Sequence, residues 1–334
     1  MGARHGPGAL HHWAFVLPGI VPRRPAPGNA CGSGLATVWE HRRVLQSQLC
    51  SHASLTSPEI LAWSARLRPM WDPDGTDDRQ VMLHRKMWEW LFIARALEER
   101  GMLRAGRRGL GFGVGREPLV AAFAASGCTI VATDLDPERA REAGWTDTGA
   151  EYAGGLDGLN THGLCPPEEF TSRVRFRHVD MTRLPADLGE FDFTWSSCAF
   201  EHLGSLEAGA DFVVEQMRHV LPGGVAVHTT ECNVSSDTET VESGGTVLYR
   251  RRDIEDLARR LQAMGYRIDY DLSEGNSPVD QHVDVPPFSD IHLRTALGQF
   301  VTTSVALIIE RPARRRGALG RLGRQGRLGR QGRQ

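Results

Sequence analysis

From about residue 102 onward, short segments rich in β-branched and aromatic residues alternate with helical patterns. The strand-like segments are 107–113, 128–134, 173–180, 191–197, 225–231, 266–272 and 300–310. Strands that alternate with helices form a mainly parallel sheet with helices on both faces. No helical pattern separates the last two strands, so an antiparallel strand is expected there. The pattern predicts a doubly wound α/β fold, mostly parallel, with an antiparallel last strand.

Residues 109–118, GLGFGVGREP, place four glycines between the first strand of this series and the next helix. Glycines at such a turn let the backbone pass close to a ligand. The dinucleotide fingerprint G-x-G-x-x-G fits no register here, and the phosphate loop of nucleoside triphosphatases needs a Lys that is absent. The pattern that remains, G-x-G-x-G at Gly111, Gly113 and Gly115, suits a ligand without a pyrophosphate.

Carboxylates stand at the ends of two further strands. Asp134 ends the second strand, 19 residues after Gly115, where a carboxylate can accept two hydrogen bonds from a ribose diol. Asp180 and Met181 follow the third strand, where they can offer an acceptor and an apolar wall to adenine. Because ligands of open α/β sheets bind outside the carboxyl ends of the strands, these residues predict a nucleoside-containing ligand at that edge.

Five short segments follow one another along the chain in this order: GFGVG, ATDLDP, VDMTRLP, FDFTWSS and LPGG. Through these segments the chain resembles the class I S-adenosylmethionine-dependent methyltransferases over roughly residues 80–310. The resemblance implies a Rossmann-like, seven-stranded sheet and S-adenosylmethionine as the cofactor. The cofactor contacts that it implies come from Gly111, Gly113, Gly115, Asp134, Asp180, Met181 and Ser196. Arg116 and Glu117 depart from the usual family pattern after the loop, and what they recognise is open.

Candidate catalytic residues follow the fourth and fifth strands. His202 is a candidate general base, and Glu201 is a candidate to orient it or to contact the substrate. His228 and Glu231 lie on opposite faces of the fifth strand or at its end. Each has a structural alternative, namely a local cap or ion pair for Glu201 and His202 and a hydrogen-bonded core histidine for His228. Because methyl transfer is an in-line displacement, much of the acceleration can come from holding the acceptor close and aligned.

A metal site is the other chemistry that these residue types allow. His202, His228, Glu231 and His282 could ligate zinc or iron, but none shows a tight ligand spacing such as H-x-x-x-H. The sequence therefore predicts no metal. The loop 280–287, DQHVDVPP, is expected to be an acidic, solvated loop, with substrate contact as the alternative.

The charge distribution bears on the methyl acceptor. Residues 311–334 contain nine Arg and no acid, so the rest of the chain has a formal charge of −11 against −2 for the whole. Only this tail could attract nucleic acid, and no N-P-P-[FY] segment follows the fourth strand. We therefore expect a small-molecule acceptor with oxygen or nitrogen as nucleophile, and no nucleic-acid substrate. We also expect no membrane span, because no apolar run reaches about 18 residues.

The chain divides into four parts by composition. Residues 1–56 are expected to be disordered, 57–101 to form a helical lead-in with Ser57 as N-cap, 102–311 to form the methyltransferase domain, and 312–334 to be a disordered Arg/Gly tail. The six cysteines form no C-x-x-C pair, which indicates reduced thiols and a cytoplasmic protein. A nicotinamide-dependent oxidoreductase and a non-catalytic methyltransferase-like binding domain are the alternative functions, and the oligomeric state is not predicted.

Overall fold

A computed structural model describes residues 45–147 and 152–313. The predicted disorder of residues 1–44 and 314–334 therefore lies outside the described residues. The strands are β1 (Ser47–Leu49), β2 (Leu83–His84), β3 (Arg108–Gly111), β4 (Thr129–Asp134), β5 (Val174–His178), β6 (Phe191–Ser197), β7 (Gly204–Ser205), β8 (Val220–Asn233), β9 (Ser243–Gly244), β10 (Tyr249–Arg250), β11 (Tyr270–Asp271), β12 (Ile291–His292), β13 (Thr295–Leu297) and β14 (Phe300–Glu310). The helices are α1 (His52–Leu55), α2 (Pro58–Trp71), α3 (Arg85–Glu99), α4 (Leu119–Ala125), α5 (Pro137–Glu142), α6 (Pro167–Arg173), α7 (Leu206–Gln216), α8 (Arg251–Ala263) and α9 (Pro278–Gln281).

The central sheet has the strand order β11-β1-β14-β8-β6-β3-β4-β5. In the order β5-β4-β3-β6-β8 neighbouring strands are parallel, and residues 302–310 of β14 run antiparallel to residues 225–233 of β8. Short strands β10 and β13 extend this sheet beside β8 and β14. The predicted Rossmann-like, doubly wound sheet with an antiparallel last strand is confirmed.

The N-terminal part of the sheet differs from the prediction. Strand β1 lies between β14 and β11, and the hydroxyl oxygen of Ser47 accepts a hydrogen bond of 2.9 Å from the backbone N–H of Ile308. The predicted disorder of residues 1–56 is therefore wrong for residues 45–56. A strand of three residues is too short to show a period in sequence, and its order comes from partners that lie far along the chain.

Helices cover both faces of the sheet, and their packing follows the apolar pattern. Helices α2, α3 and α4 pack on one face in a cluster that includes Trp88, Phe123 and Trp195, while α7 and α8 pack on the other around Phe212 and Leu307. The lead-in helices thus belong to the same core as the sheet. Helix α3 begins at Arg85, because His84 caps it by accepting a hydrogen bond from the N–H of Lys86. Within the described segments, no helix has the length and apolar character to cross a bilayer.

Candidate functional site

The glycine loop leaves β3 at its carboxyl end and turns into α4. Gly113 and Gly115 have φ angles of +54° and +50°, in the left-handed region that other residues enter only at a cost. A Cβ at Gly113 would lie 3.0 Å from Cβ of Ala199 and 3.3 Å from Sδ of Met181. At Gly111 a Cβ would lie 2.5 Å from the ring of Trp195 on β6, so the missing side chain makes room for core packing rather than for a ligand.

Asp134 ends β4 and binds the glycine loop directly. Its Oδ2 accepts hydrogen bonds of 3.1 Å from the N–H groups of Gly115 and Ala153, and its Oδ1 accepts one of 2.8 Å from Leu135. Burial raises the pKa of Asp134, while the backbone donors oppose that shift. Since an ionised carboxylate has about four acceptor sites, one remains for a hydroxyl donor.

Asp180 and Met181 lie at the end of β5, as the sequence predicts. Oδ1 of Asp180 accepts two hydrogen bonds from Thr182, one of 2.8 Å from its N–H and one of 2.6 Å from its hydroxyl. Oδ2 of Asp180 pairs with Arg139. Burial raises the pKa of Asp180, but the Thr182 and Arg139 contacts outweigh it and hold the value below the ordinary one. Met181 is buried against the loop at Gly113.

His228 and Ser196 occupy the core, which corrects two predictions. The hydroxyl of Ser196 lies 2.8 Å from Nδ1 of His228, both side chains are fully buried, and the rings of Phe200 and Phe212 pack edge-on against the imidazole. Burial lowers the pKa of His228 to about 3, so the ring is neutral. Both side chains point into the α7 face of the sheet instead of beyond its edge, so His228 is not placed as a base and Ser196 is not placed against a cofactor.

Glu201 and His202 turn in opposite directions from the short helical turn after β6. The Glu201 side chain is fully buried, and its Oε2 accepts a hydrogen bond of 3.0 Å from the hydroxyl of Thr230. His202 faces outward, with Nδ1 2.8 Å from the carbonyl oxygen of Gly245 and its ring edge-on to Trp145. The predicted pairing of His202 with Glu201 is therefore wrong, because consecutive residues of this turn project to different sides.

Glu201 and Glu231, which are both predicted catalytic residues, do come together. Their ligand-capable oxygens and the sulfur of Cys198 all lie within 4.8 Å of one another. Glu231 is 6% exposed and pairs with Arg85 of α3. Burial raises the pKa of Glu231, against the lowering effect of Arg85. The carboxyl ends of β6 and β8 thus meet the N-terminal end of α3 at one acidic site.

This acidic site is richer in carboxylates than in cations. Lys86 places Nζ 2.9 Å from Glu89 and 4.0 Å from Glu117, the residue after the glycine loop whose role the sequence leaves open. We call the group of six charged side chains the carboxylate cluster. Its members are Arg85, Lys86, Glu89, Glu117, Glu201 and Glu231. Because four carboxylates face two cations, the cluster suits a positively charged ligand.

Glu89 connects the cluster to three strands. It is fully buried and accepts hydrogen bonds from the hydroxyls of Ser197 on β6, Thr229 on β8 and Ser304 on β14. Burial raises its pKa, but the two cations of the cluster outweigh burial and bring the pKa to about 2. Glu89 is therefore the ionised anchor of α3 on the sheet.

Sequence reasoning missed Arg85, Lys86 and Glu89. The available signal is a glutamate within a helix that is otherwise apolar on its buried face, with cations three and four residues before it. A buried Glu is rare unless it is paired, so this spacing indicates a buried ion-pair network.

The buried Glu117 carboxyl gives a first prediction. Burial raises its pKa to about 7, against the lowering effect of Lys86. The folded chain then holds this proton to higher pH than the unfolded chain, so the free energy of unfolding falls as pH rises from about 4.5 to about 7. We expect Glu117→Gln to raise Tm by about 2–4 °C at pH 8 and to leave it unchanged at pH 5. Thermal melts at the two pH values measure this, and an equal shift at both would contradict the assignment.

Residues 110–228 match the family model for a methyltransferase domain. No curated protein matches the chain by sequence. One similar solved structure is an S-adenosylmethionine-dependent methyltransferase from Clostridium acetobutylicum, with 14% identity, a TM-score of 0.38, and coverage of 75% of this chain and 98% of that chain. Another is DhpI in an SAH complex, with 16% identity, a TM-score of 0.39, and coverage of 79% of this chain and 100% of that chain. A third is the glycopeptide N-methyltransferase MtfA complexed with sinefungin, with 12% identity, a TM-score of 0.41, and coverage of 69% of this chain and 94% of that chain.

The strand order, the left-handed glycine turn and the carboxylate that ends β4 define a methyltransferase fold. Residues 110–228 match a methyltransferase domain, so the chain resembles the class I S-adenosylmethionine-dependent methyltransferases, and this match indicates an enzyme whose cofactor is S-adenosylmethionine. The oxidoreductase and the non-catalytic domain, which the sequence leaves as alternatives, are not supported.

Proposed function

We propose that the chain methylates an oxygen or nitrogen atom of a small-molecule acceptor held beside Glu201 and Glu231. The observation that carries this proposal is the meeting of these two carboxylates at the carboxyl ends of β6 and β8. The segment that bears Glu201 also touches the glycine turn, since Ala199 lies against Gly113. The acceptor site is thereby next to the loop that receives the cofactor.

The residues present fit the cofactor. Gly113, Gly115 and Met181 offer a close backbone and an apolar wall, and Asp134 offers an acceptor for a ribose hydroxyl. Asp180 is kept in the proposed cofactor site because it lies at the end of β5, and its carboxylate would bind Arg139 and the cofactor together. When bound, S-adenosylmethionine supplies a methyl group on a positively charged sulfur that is already a good leaving group.

The carboxylate cluster completes the cofactor site in this proposal. Lys86 beside the loop can bind the carboxylate of the cofactor's amino-acid end, and Glu117 can bind its ammonium group. The other carboxylates of the cluster favour binding of S-adenosylmethionine, whose sulfonium is positively charged, over S-adenosylhomocysteine, whose thioether is neutral. That preference assists product release after each transfer.

The enclosure of the site supports a small acceptor. Glu201 is fully buried, Glu231 nearly so, and α3 packs over both β6 and β8. A folded macromolecule cannot reach such carboxylates, and a chain body with a formal charge of −11 repels nucleic acid. The described cysteines form no disulfide, which supports a reducing compartment such as the cytoplasm.

In the transfer itself, the chain aligns the acceptor and manages its proton. Glu201 and Glu231 hold the nucleophilic atom in line with the methyl group, which supplies much of the acceleration. Glu201 has no cation paired with it among the described residues, so its carboxylate is the one available to take a proton from the acceptor.

Cofactor binding tests the proposal through Asp134. We expect the chain to bind S-adenosylmethionine and S-adenosylhomocysteine but not NAD, and Asp134→Ala to weaken binding by roughly 10- to 100-fold through loss of a charged hydrogen bond. Isothermal titration calorimetry measures both. The control is Asp136→Ala, which changes a half-exposed cap of α5 and should leave the affinity unchanged. Unchanged affinity in Asp134→Ala would show that the cofactor lies elsewhere.

A further inference from the structure

We propose that Cys198, Glu201 and Glu231 bind a divalent metal ion of the zinc type. One potential ligand atom from each residue lies within 4.8 Å of the other two. The sequence offers His202, His228, Glu231 and His282 as ligand types and predicts no metal from their spacing, and of these four only Glu231 belongs to the present site. The sheet topology brings the three residues of the site together, since two come from the end of β6 and one from the end of β8.

The first supporting observation is two carboxylate oxygens without partners. Oε1 of Glu201 and Oε2 of Glu231 are inaccessible to solvent and accept no hydrogen bond, although both residues are more than nine-tenths buried. A buried carboxylate oxygen without a partner is costly, and a metal ion satisfies two such oxygens at once. Arg85 does not meet this need, because it pairs with Oε1 of Glu231.

The second observation is the backbone of Cys198. It has a φ of +44° although it is not a glycine, and among the described residues no other non-glycine has a positive φ. Its N–H donates hydrogen bonds of 3.1 Å to both the carbonyl oxygen and the hydroxyl of Thr229, which hold the strained conformation. Strain of this kind persists where the surrounding structure enforces it, and here it brings the thiol to the two carboxylates.

The charge of the site also fits a divalent ion. Nη1 of Arg85 lies 4.0 Å from the Cys198 sulfur, and Nη2 of Arg85 pairs with Glu231. One guanidinium cannot balance two carboxylates, so the site without a metal has an excess negative charge. A divalent ion bound to the thiolate and both carboxylates makes the group neutral with Arg85 included, and the thiol proton leaves to solvent.

The donor set selects the metal. A thiolate favours zinc over magnesium or calcium, which prefer oxygen ligands alone. Tetrahedral zinc bonds of about 2.0–2.3 Å place ligand atoms roughly 3.3–3.8 Å apart, so these atoms must approach one another by up to about 1.5 Å. Three protein ligands leave one position open, as in catalytic zinc sites, and an acceptor oxygen or nitrogen bound there loses its proton to solvent under the charge of the metal, so that Glu201 then acts as a ligand and not as the base. This last step rests on the proposed function, whereas metal binding itself does not.

Metal binding to the purified whole chain tests this inference. After removal of metals with a chelator, we expect one Zn²⁺ per chain by elemental analysis after dialysis, and Co²⁺ to give a thiolate-to-cobalt absorption band. Cys198→Ala should abolish that band, and Glu201→Gln should weaken Zn²⁺ binding by at least about 100-fold, since even outer-shell changes cost 10- to 100-fold.

The matched controls are Cys165→Ala, a buried cysteine elsewhere, and Glu215→Gln, a surface residue of α7. Both should keep one Zn²⁺ and the cobalt band, and circular dichroism verifies that every variant is folded. Absence of stoichiometric Zn²⁺, or a band that persists in folded Cys198→Ala, overturns the inference. Cofactor titration of the metal-free chain keeps the two proposals apart, because the Asp134 result does not depend on the metal.

Discussion

Replacing Glu201 by Gln slows methyl transfer by roughly 100- to 1,000-fold and leaves the affinity for S-adenosylmethionine within about twofold; this is the expected result if Glu201 faces the acceptor. The amide keeps the shape of the side chain and one oxygen for the Thr230 hydroxyl. It cannot accept a proton or balance a positive charge, so the loss falls on the reaction and not on cofactor binding.

Labelled cofactor measures this effect, with an acceptor found by screening metabolite extracts. The control is Glu215→Gln, an exposed glutamate on α7 that should retain full activity. The split between kcat and KM is informative, because a residue that serves only folding would not lower kcat in a folded protein with normal cofactor affinity. Normal turnover by folded Glu201→Gln would exclude the proposed role.

Glu89→Ala is expected to lower the free energy of unfolding by about 3–5 kcal/mol, which is the usual cost of removing one partner from a buried charge network. The substitution leaves Lys86 without its closest carboxylate and three hydroxyls without their acceptor. Because the pKa of Glu89 is lowered to about 2, its stabilisation is fully present above about pH 4.5 and is lost as pH falls toward 2.

Chemical denaturation at pH 7 and at low pH measures the Glu89 effect. Glu98→Ala on the same helix is the control, because Glu98 is partly exposed and binds Arg66 and the indole of Trp63. It should cost about 1 kcal/mol, as a single hydrogen bond with an exposed ion pair does. Equal losses in the two variants, or a Glu89 effect that does not shrink in acid, would contradict the anchoring role.

Local patterns predicted the parts of this structure that local chemistry determines. The parallel strands follow from runs of β-branched residues between helices, and the left-handed turns at Gly113 and Gly115 follow from the glycine pattern. The position of Asp134 at the end of β4 is also predicted, because the end of a strand can be recognised in the sequence alone. These features need no knowledge of distant partners.

The remainder depends on contacts between distant segments. The alternation of side chains along β8 correctly places His228 and Glu231 on opposite faces of the sheet. It does not tell which face α7 covers, and the packing of α7 makes His228 a core residue. The direction of His202 depends on how the chain leaves β6. Glu89 becomes an anchor only when hydroxyls of three strands surround it, which no short segment reveals.

The placement of strand β1 has a consequence for how the protein is made. Ser47 leaves the ribosome long before its partner Ile308, which lies 261 residues further along the chain. The parallel strands can pair during synthesis, whereas β1 has no place until β14 has emerged. The completed sheet therefore waits for the synthesis of β14, and an expression clone that starts after residue 56 leaves part of the β14 edge open to other chains.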